Sequence, residues 1–262
     1  MYSESETLLS RKYLREIFSS ESGGVILLDG WAVSLLVGPD FQEAMGRGYI
    51  GSRDIDIGFH LEEGSTAEDL EGSEFSRVFR RLNALGFRRQ SFRLYRDFDP
   101  ETHRELSVEE ARSRLPFEVS RLYVDLVVDR IPAEFRDVFG FTPIDEPLLE
   151  LAFRDGRFRH VRWEGVDLRI VAPSLLLGMK LNSVISRTRD HKMVKDIADI
   201  YALAWYSGMS LSDMKEEIRN LIPANRVRRV LKSFNQDDID DVSRIIGVES
   251  SVISRVLAEF GR

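Results

Sequence analysis

The sequence predicts an α+β chain: a mixed sheet with flanking helices in the N-terminal part, and a helical region behind it. Three observations carry this. Short apolar runs of strand length, bounded by Gly, Pro and Asp, recur through residues 1–172. One of them, Asp54-Ile55-Asp56-Ile57-Gly58-Phe59, alternates with the two-residue period of a strand. After Ala172-Pro173 the apolar residues fall at helical spacing almost to the end. The expected domains are 1–172, α/β, and 173–262, helical.

Residues 7–19 space Leu8, Leu9, Tyr13, Leu14, Ile17 and Phe18 as one helix face, with Thr7 as N-cap and Gly23-Gly24 as the stop. Val25 to Leu28 read as a short buried strand. Asp29-Gly30 is expected to turn, Trp31 to Val37 to form a short apolar helix, and Gly38-Pro39 to end it. Residues 38–51 are glycine-rich and read as loop. A strand follows at Asp54 to Phe59, then an amphipathic helix at 74–85 closed by Gly86. Strands are expected at 87–96 and at 121–128, the latter ended by Asp129 to Pro132. Two more, 158–163 and 166–171, flank a Glu164-Gly165 turn. Pro173 suits the first turn of a helix running to about Arg187. Helices near 191–206, 210–221, 224–233, 236–246 and 250–260 complete the pattern.

Composition narrows the chemistry. The 262 residues include no cysteine, which excludes a disulfide framework, a thiolate metal site and a cysteine nucleophile. The four histidines, His60, His103, His160 and His191, are scattered, and the His-Asp pairs typical of phosphohydrolases are absent. Carboxylates are then the available metal ligands, and these suit Mg²⁺ better than Zn²⁺. No apolar run approaches the roughly 18–20 residues that span a bilayer. The opening MYSESETLLSRKYLREIF lacks the basic-then-apolar order of a secretory signal. A soluble, cytoplasmic protein with no membrane partner is expected. The formal net charge of −7 argues against a broad nucleic-acid footprint.

The acids of two strands carry the functional signal. Asp54 and Asp56 project from one strand face while Ile55 and Ile57 point to the other. Side-by-side carboxylates repel, and a hard divalent cation compensates them through oxygen ligands. Asp125 is a third acid, set in the apolar run Leu122 to Val128, where a charge is costly unless paired or metal-bound. If the two strands are neighbours, three carboxylates converge as two-metal phosphoryl transfer requires. Each feature also has a plain structural reading: a solvent-facing DxD, and Asp125 as an edge-strand acid paired with an arginine.

Order and context favour the first reading. The runs LLDGWAVSLL (27–36) and YIGSRDIDIGF (49–59) are followed by Gly178-Met179-Lys180-Leu181-Asn182 and by Lys195-Asp196-Ile197-Ala198-Asp199-Ile200. Together they resemble the nucleotidyltransferase fold of the DNA polymerase β superfamily, and within it the AbiEii-type nucleotidyltransferases, a group that includes abortive-infection toxins. The resemblance spans about residues 25–205. It implies Mg²⁺ or Mn²⁺ on Asp54 and Asp56, with Asp125 as the third acid, a metal ligand and the general base toward the acceptor hydroxyl. Lys180 would neutralise nucleotide phosphates. Asp196 would complete the site from the helical domain, with Asp199 on the same helix face. Gly30 would let the backbone approach the triphosphate, the helix N-terminus behind it would attract phosphate, and Arg53 would join the nucleotide site. The chain also departs from the family pattern. Asp29 stands where a second glycine is usual, and Trp31 where a Ser or Thr holds a phosphate oxygen; Ser34 or Ser52 would substitute. The GPDFQEAMGRG insertion lengthens the path to Asp54. Without the resemblance, Lys180 reads as a surface lysine, and Lys195, Asp196 and Asp199 as a solvated face braced by the Lys195–Asp199 pair. Met179, Leu181, Ile197 and Ile200 read as core. Arg187, Arg189, His191 and Lys192 form a basic cluster between the two helices.

Residues 239–258 resemble a helix-turn-helix, with Ser243 in the first helix, Gly247 at the turn, and Ile253 and Val256 at packing positions. Glu249, Ser250, Ser251 and Arg255 would face a major groove. Any two short helices joined at a glycine share this pattern, and Gln236 to Asp241 put acids where phosphates would lie. A helical cap or interaction module is therefore preferred to DNA binding. Arg226-Val227-Arg228-Arg229 is the one basic stretch nearby. Three functions are weighed, of which a phosphohydrolase using the same acids is disfavoured because its usual His-Asp pairs are missing. The preferred one is enzymatic: transfer of NMP from an NTP to a hydroxyl on RNA (such as tRNA), a protein or a small molecule, in a toxin-like protein. The alternative is a catalytically altered binding or regulatory module whose C-terminal helices take DNA or a partner.

Overall fold

The computed structural model describes residues 4–19, 24–184 and 191–262. The chain folds into two units. One comprises the chain up to Leu28 together with Gly51–Ile170; the other comprises Asp29–Ile50 and Val171–Arg262.

The first unit is built on a mixed sheet. Its strands are β1 Ile26–Leu28, β2 Ile55–Phe59, β3 Arg88–Gln90, β4 Arg93–Phe98, β5 Ser120–Val128, β6 Ile144–Asp145, β7 Phe158–Trp163 and β8 Val166–Val171. They lie in the order β3-β4-β5-β2-β1-β8-β7, with β6 beside β5. β2 runs antiparallel to β1 and parallel to β5, β4 runs antiparallel to β5, and β1 runs parallel to β8. With a neighbour on each edge, β2 is buried at all five residues. Helix α1 Glu4–Phe18 packs on β5 through the apolar face read from its sequence, with Leu14, Ile17 and Phe18 buried. A phenylalanine cluster fills another part of the core: the ring of Phe75, on the amphipathic helix Glu74–Ala84, meets Phe59, Phe135 and Phe139 at 4.9–5.1 Å.

The second unit is helical. It holds α2 Asp29–Met45, α8 Pro173–Ser183, α9 His191–Tyr206, α10 Leu211–Leu221, α11 Ala224–Ser233, α12 Gln236–Ile246 and α13 Ser250–Phe260, while α3 Ala67–Gly72, α4 Glu74–Ala84, α5 Val108–Ser113, α6 Phe135–Phe139 and α7 Leu149–Arg154 belong to the sheet unit. Helices α2 and α8 pack on α9, which also carries α12 and α13. Ile197, Ala198, Ile200, Tyr201, Ala202 and Leu203 of α9 are all buried. Among the described residues no helix is long and apolar enough to cross a membrane.

Several elements differ from the sequence reading. The first helix already runs from Glu4, so Thr7 lies inside it and is not its cap. Asp29-Gly30 is not a separate turn but the start of α2. Gly38-Pro39 does not stop α2, which continues to Met45 with Pro39 inside it. The residue before a proline avoids helical backbone because its Cβ meets the proline Cδ; Gly38 has no Cβ. Residues 40–45 are therefore helix, not loop, and Phe41 becomes core, its ring 5.2 Å from that of Tyr206. The single strand expected at 87–96 is a hairpin, β3 and β4 joined where Ser91 takes φ 58°. The helix begun by Pro173 is described to Val184, and its expected end near Arg187 lies outside the described residues.

Candidate active site

The sheet brings the strand acids together. Parallel pairing sets Asp56 on β2 directly opposite Asp125 on β5, and antiparallel pairing sets Arg93 on β4 opposite Asp125 from the other side. Residues opposite one another in a sheet share a face. Arg93 holds Asp125 by both oxygens, Nε donating to Oδ1 at 2.7 Å and Nη2 to Oδ2 at 2.8 Å. The same Nη2 donates to Asp54 Oδ2 at 3.1 Å. Its guanidinium lies 4.0 Å over the Tyr123 ring, a cation–π contact two residues before Asp125 on the same face. Burial alone would lower the Arg93 pKa; the bonds to Asp125 and the charge of Asp54 reverse this and hold it above its ordinary value. Asp56 and Asp125 are buried. The DxD is therefore not a plain solvent-facing pair. Asp125 is paired with an arginine, as the structural reading supposed, but on an interior strand. Such a rung is not unique in this sheet: Asp97 is held by Arg121 and Arg88 in the same way. What distinguishes the Arg93 rung is that it joins Asp125 on β5 to Asp54, which lies just before β2, the strand expected from Asp54 beginning one residue later at Ile55.

Ser52 and Arg53 precede these acids. Ser52 is buried; its Oγ accepts from the Asp54 N–H at 3.3 Å, and its carbonyl accepts from Ser10 Oγ. Its hydroxyl thus orients the backbone that presents Asp54. Arg53 is half-buried.

The helical unit has an acid group of its own. Lys180 on α8 is 4% exposed, and its Nζ donates to Asp196 Oδ1 at 2.7 Å, lies 3.0 Å from Asp199 Oδ2, and forms an ion pair with Asp29. Lys195 Nζ donates to Asp199 Oδ2 at 2.9 Å, and the buried Tyr49 hydroxyl donates to Asp199 Oδ1 at 3.0 Å. Lys180 is therefore not a surface lysine, and Asp196 and Asp199 are not a solvated face, although the Lys195–Asp199 pair is present. Met179, Leu181, Ile197 and Ile200 are core, as read. Burial would lower the Lys180 pKa, but the charges of Asp196, Asp29 and Asp199 raise it well above the ordinary value. Burial raises the Tyr49 hydroxyl, and the Asp199 carboxylate raises it further. Asp29, Asp196 and Asp199 each bring an oxygen within 4.8 Å of the others, close enough to hold a divalent cation. Hard oxygen donors fit such an ion, and the Lys180 ammonium already stands among them.

Asp29 reads from the sequence as a departure from the family pattern, not as a site residue. It takes φ 49°, the left-handed region that glycine enters without cost and aspartate enters more readily than most residues. Here an aspartate adopts it and turns its carboxylate to Lys180. Gly30 is buried in the first turn of α2, and Ser34 is half-buried one turn later. Arg187 and Arg189 lie outside the described residues.

At the other end of β2 and β5, His60 and Asp129 follow the paired residues Phe59 and Val128. Asp129 accepts from the Leu61 N–H at 3.0 Å and bonds His60 Nδ1, while His60 Nε2 meets Glu62 at 2.9 Å. A His-Asp pair does therefore exist, assembled across 69 positions and invisible as a local motif. Both ring nitrogens are engaged with carboxylates, as in a clamp.

No family model matches the chain, and no curated protein matches it in sequence. Among solved structures, an antigenic nucleotidyltransferase-like protein from Paracoccidioides brasiliensis is similar at 14% identity and a TM-score of 0.38, covering 83% of this chain and 90% of that one. A likeness of that size carries no argument.

Proposed function

We propose that the protein is a metal-dependent nucleotidyltransferase of the AbiEii type, moving NMP from an NTP to a hydroxyl on RNA, a protein or a small molecule. The observation that carries this is the rung Asp56–Asp125–Arg93, with Asp54 on the same guanidinium. Asp56 and Asp125, distant in sequence, are paired across β2 and β5, and Asp54 shares the Arg93 guanidinium, which supports the reading. The donor set is hard carboxylate oxygen, which fits Mg²⁺ or Mn²⁺. Asp54 and Asp56 would hold the ion, with Asp125 beside them. When bound, it shields the phosphates and neutralises charge as the leaving group departs. Asp125 would accept the proton of the acceptor hydroxyl once released by Arg93. Arg93 keeps the acids gathered in the absence of substrate, and its guanidinium offers a fork for a phosphate once the acids turn to a cation. The NTP requirement suits a cytoplasmic protein, and a toxin-like role belongs to the same reading.

Asp56→Asn is expected to abolish transfer of label from α-³²P-NTP to the acceptor while leaving the thermal unfolding profile intact. Full activity in that variant would falsify the proposal. A thermal-shift panel of the four NTPs, with and without Mg²⁺, should identify the donor by a metal-dependent rise for one of them.

One observation favours the second reading, a nucleotidyltransferase-like binding module. Lys180, the residue expected at the phosphates, is buried and committed to Asp29, Asp196 and Asp199. This reading expects salt-sensitive binding of DNA by 239–258, weakened by Arg255→Ala. Arg255 is exposed on α13, but Ser250 is engaged, its Oγ donating to Asp240 Oδ1 at 2.6 Å.

A further inference from the structure

Three helices of the helical unit border a half-open cavity of about 370 Å³ that the proposed transfer chemistry does not use. Leu231 of α11, Phe234 behind it, Ile239 of α12 and Leu257 of α13 line its apolar part. Arg228 and Lys232 of α11 also line it, one helical turn apart and both exposed, as does Arg262. No acidic side chain is among the lining residues. Arg262 is tied down by Glu259 at 2.8 Å, so the positive charge rests on Arg228 and Lys232. In a chain with net charge −7, Arg228 lies in a basic stretch, Arg226-Val227-Arg228-Arg229, and Lys232 follows one turn later.

We infer that this cavity binds a single-chain aliphatic anion: an apolar tail among Leu231, Phe234, Ile239 and Leu257, and a carboxylate or phosphate head at Arg228 and Lys232. The volume lies in the range of small-molecule sites, which are mostly apolar with a few placed polar groups. Charge complementarity selects an anionic head. The lining selects an aliphatic body, because a nucleobase would carry several donors and acceptors inside. Ser254 is the one uncharged polar side chain among the lining residues, so most of those groups would be left unpaired at a cost. Helix α11 has no helix neighbour packed as closely as those of α10, α12 and α13. A tail inserted beside Leu231 would bridge it to α12 and α13.

The test is calorimetry on the full chain with sodium dodecanoate below its micelle concentration. Saturable binding at one site is expected. Decanoate should bind about tenfold more weakly, as two buried methylenes fewer require. Arg228→Glu with Lys232→Glu should weaken dodecanoate at least about tenfold. Ala258→Trp, an exposed lining position, should fill the cavity and abolish binding, with circular dichroism unchanged in both variants. Hydrogen exchange of α11 should slow on binding. Any of four results overturns the inference: no saturable heat, equal binding of dodecyltrimethylammonium, unchanged binding in Ala258→Trp, or binding of phosphatidylglycerol vesicles or of an acidic amphipathic peptide without binding of dodecanoate.

Discussion

Lys180 shows how much one side chain can organise. Three carboxylates converge in a helical interior, and their repulsion is offset by its ammonium and by Lys195. Removing one partner from a buried ionic group leaves the others uncompensated, which costs about 3–5 kcal/mol. Lys180→Met, close in volume but neutral, is therefore expected to lose about that much stability by urea denaturation. A loss below about 1 kcal/mol would mean that the acids are compensated in some other way. This group is half legible in sequence. Lys180, Asp196 and Asp199 stand out only through the resemblance to the nucleotidyltransferases. Asp29 does not, because its part depends on a left-handed backbone that only the fold reveals. Arg93 is likewise unmarked among many arginines until the β4–β5 register places it opposite Asp125. His60 gives a pH dependence at the same scale. Burial tends to lower its pKa, but bonds to Asp129 and Glu62 prevail and raise it above the ordinary 6.5. A raised folded-state value means that the charged ring stabilises the fold below about pH 6.5, and that this contribution fades as the pH climbs through the higher folded value. Wild-type Tm should therefore fall over that window relative to His60→Gln, whose Tm should lack the step. Parallel Tm profiles for the two proteins would remove His60 from the account.

At the scale of elements, β2 shows why the middle of the sheet tolerates so little. Gly58 faces Leu149 and Leu28, and a Cβ placed on it would lie 2.9 Å from Leu149 Cδ2 and 3.1 Å from Leu28 Cδ1. Leucine tips can yield, but in a packed core the shift spreads to their neighbours. Gly58→Ala should destabilise the protein by about 1–3 kcal/mol. Gly64→Ala, at a position with open space around it, should not. A chemical-denaturation pair of the two variants decides it, and equal midpoints would show that the close approach is slack. The same strand was among the most readable from sequence, since alternation specified both its existence and its faces. Helix α2 was not. Its start was masked by an Asp-Gly pair that normally signals a turn, and its second half by a Gly-Pro pair that normally ends a helix. In both places local chemistry argued against helix, and tertiary burial of Trp31, Val37 and Phe41 prevailed.

For the whole molecule, the decisive fact is that each unit is made of two separate stretches of chain. Periodicity shows where the sequence turns helical at 173, but it cannot show that 29–50 folds with that later region. The helical unit depends on the earlier stretch in two ways. Helix α2 packs on α8 and α9, and it buries Trp31, Val33, Leu36, Val37 and Phe41. At about 2 kcal/mol for each such side chain, their burial is worth on the order of 10 kcal/mol, comparable to the whole stability of an ordinary domain. The stretch also supplies Asp29 to Lys180 and the Tyr49 hydroxyl to Asp199. A fragment of residues 173–262 should therefore lack a cooperative unfolding transition and show reduced helicity by circular dichroism. Adding a peptide of residues 29–50 should restore part of both, and the same peptide with Phe41→Asp should not, because that ring packs against Tyr206. If the fragment melts cooperatively alone, α2 decorates the helical unit without holding it together. The charge balance around Lys180 would then be set by α8 and α9 alone.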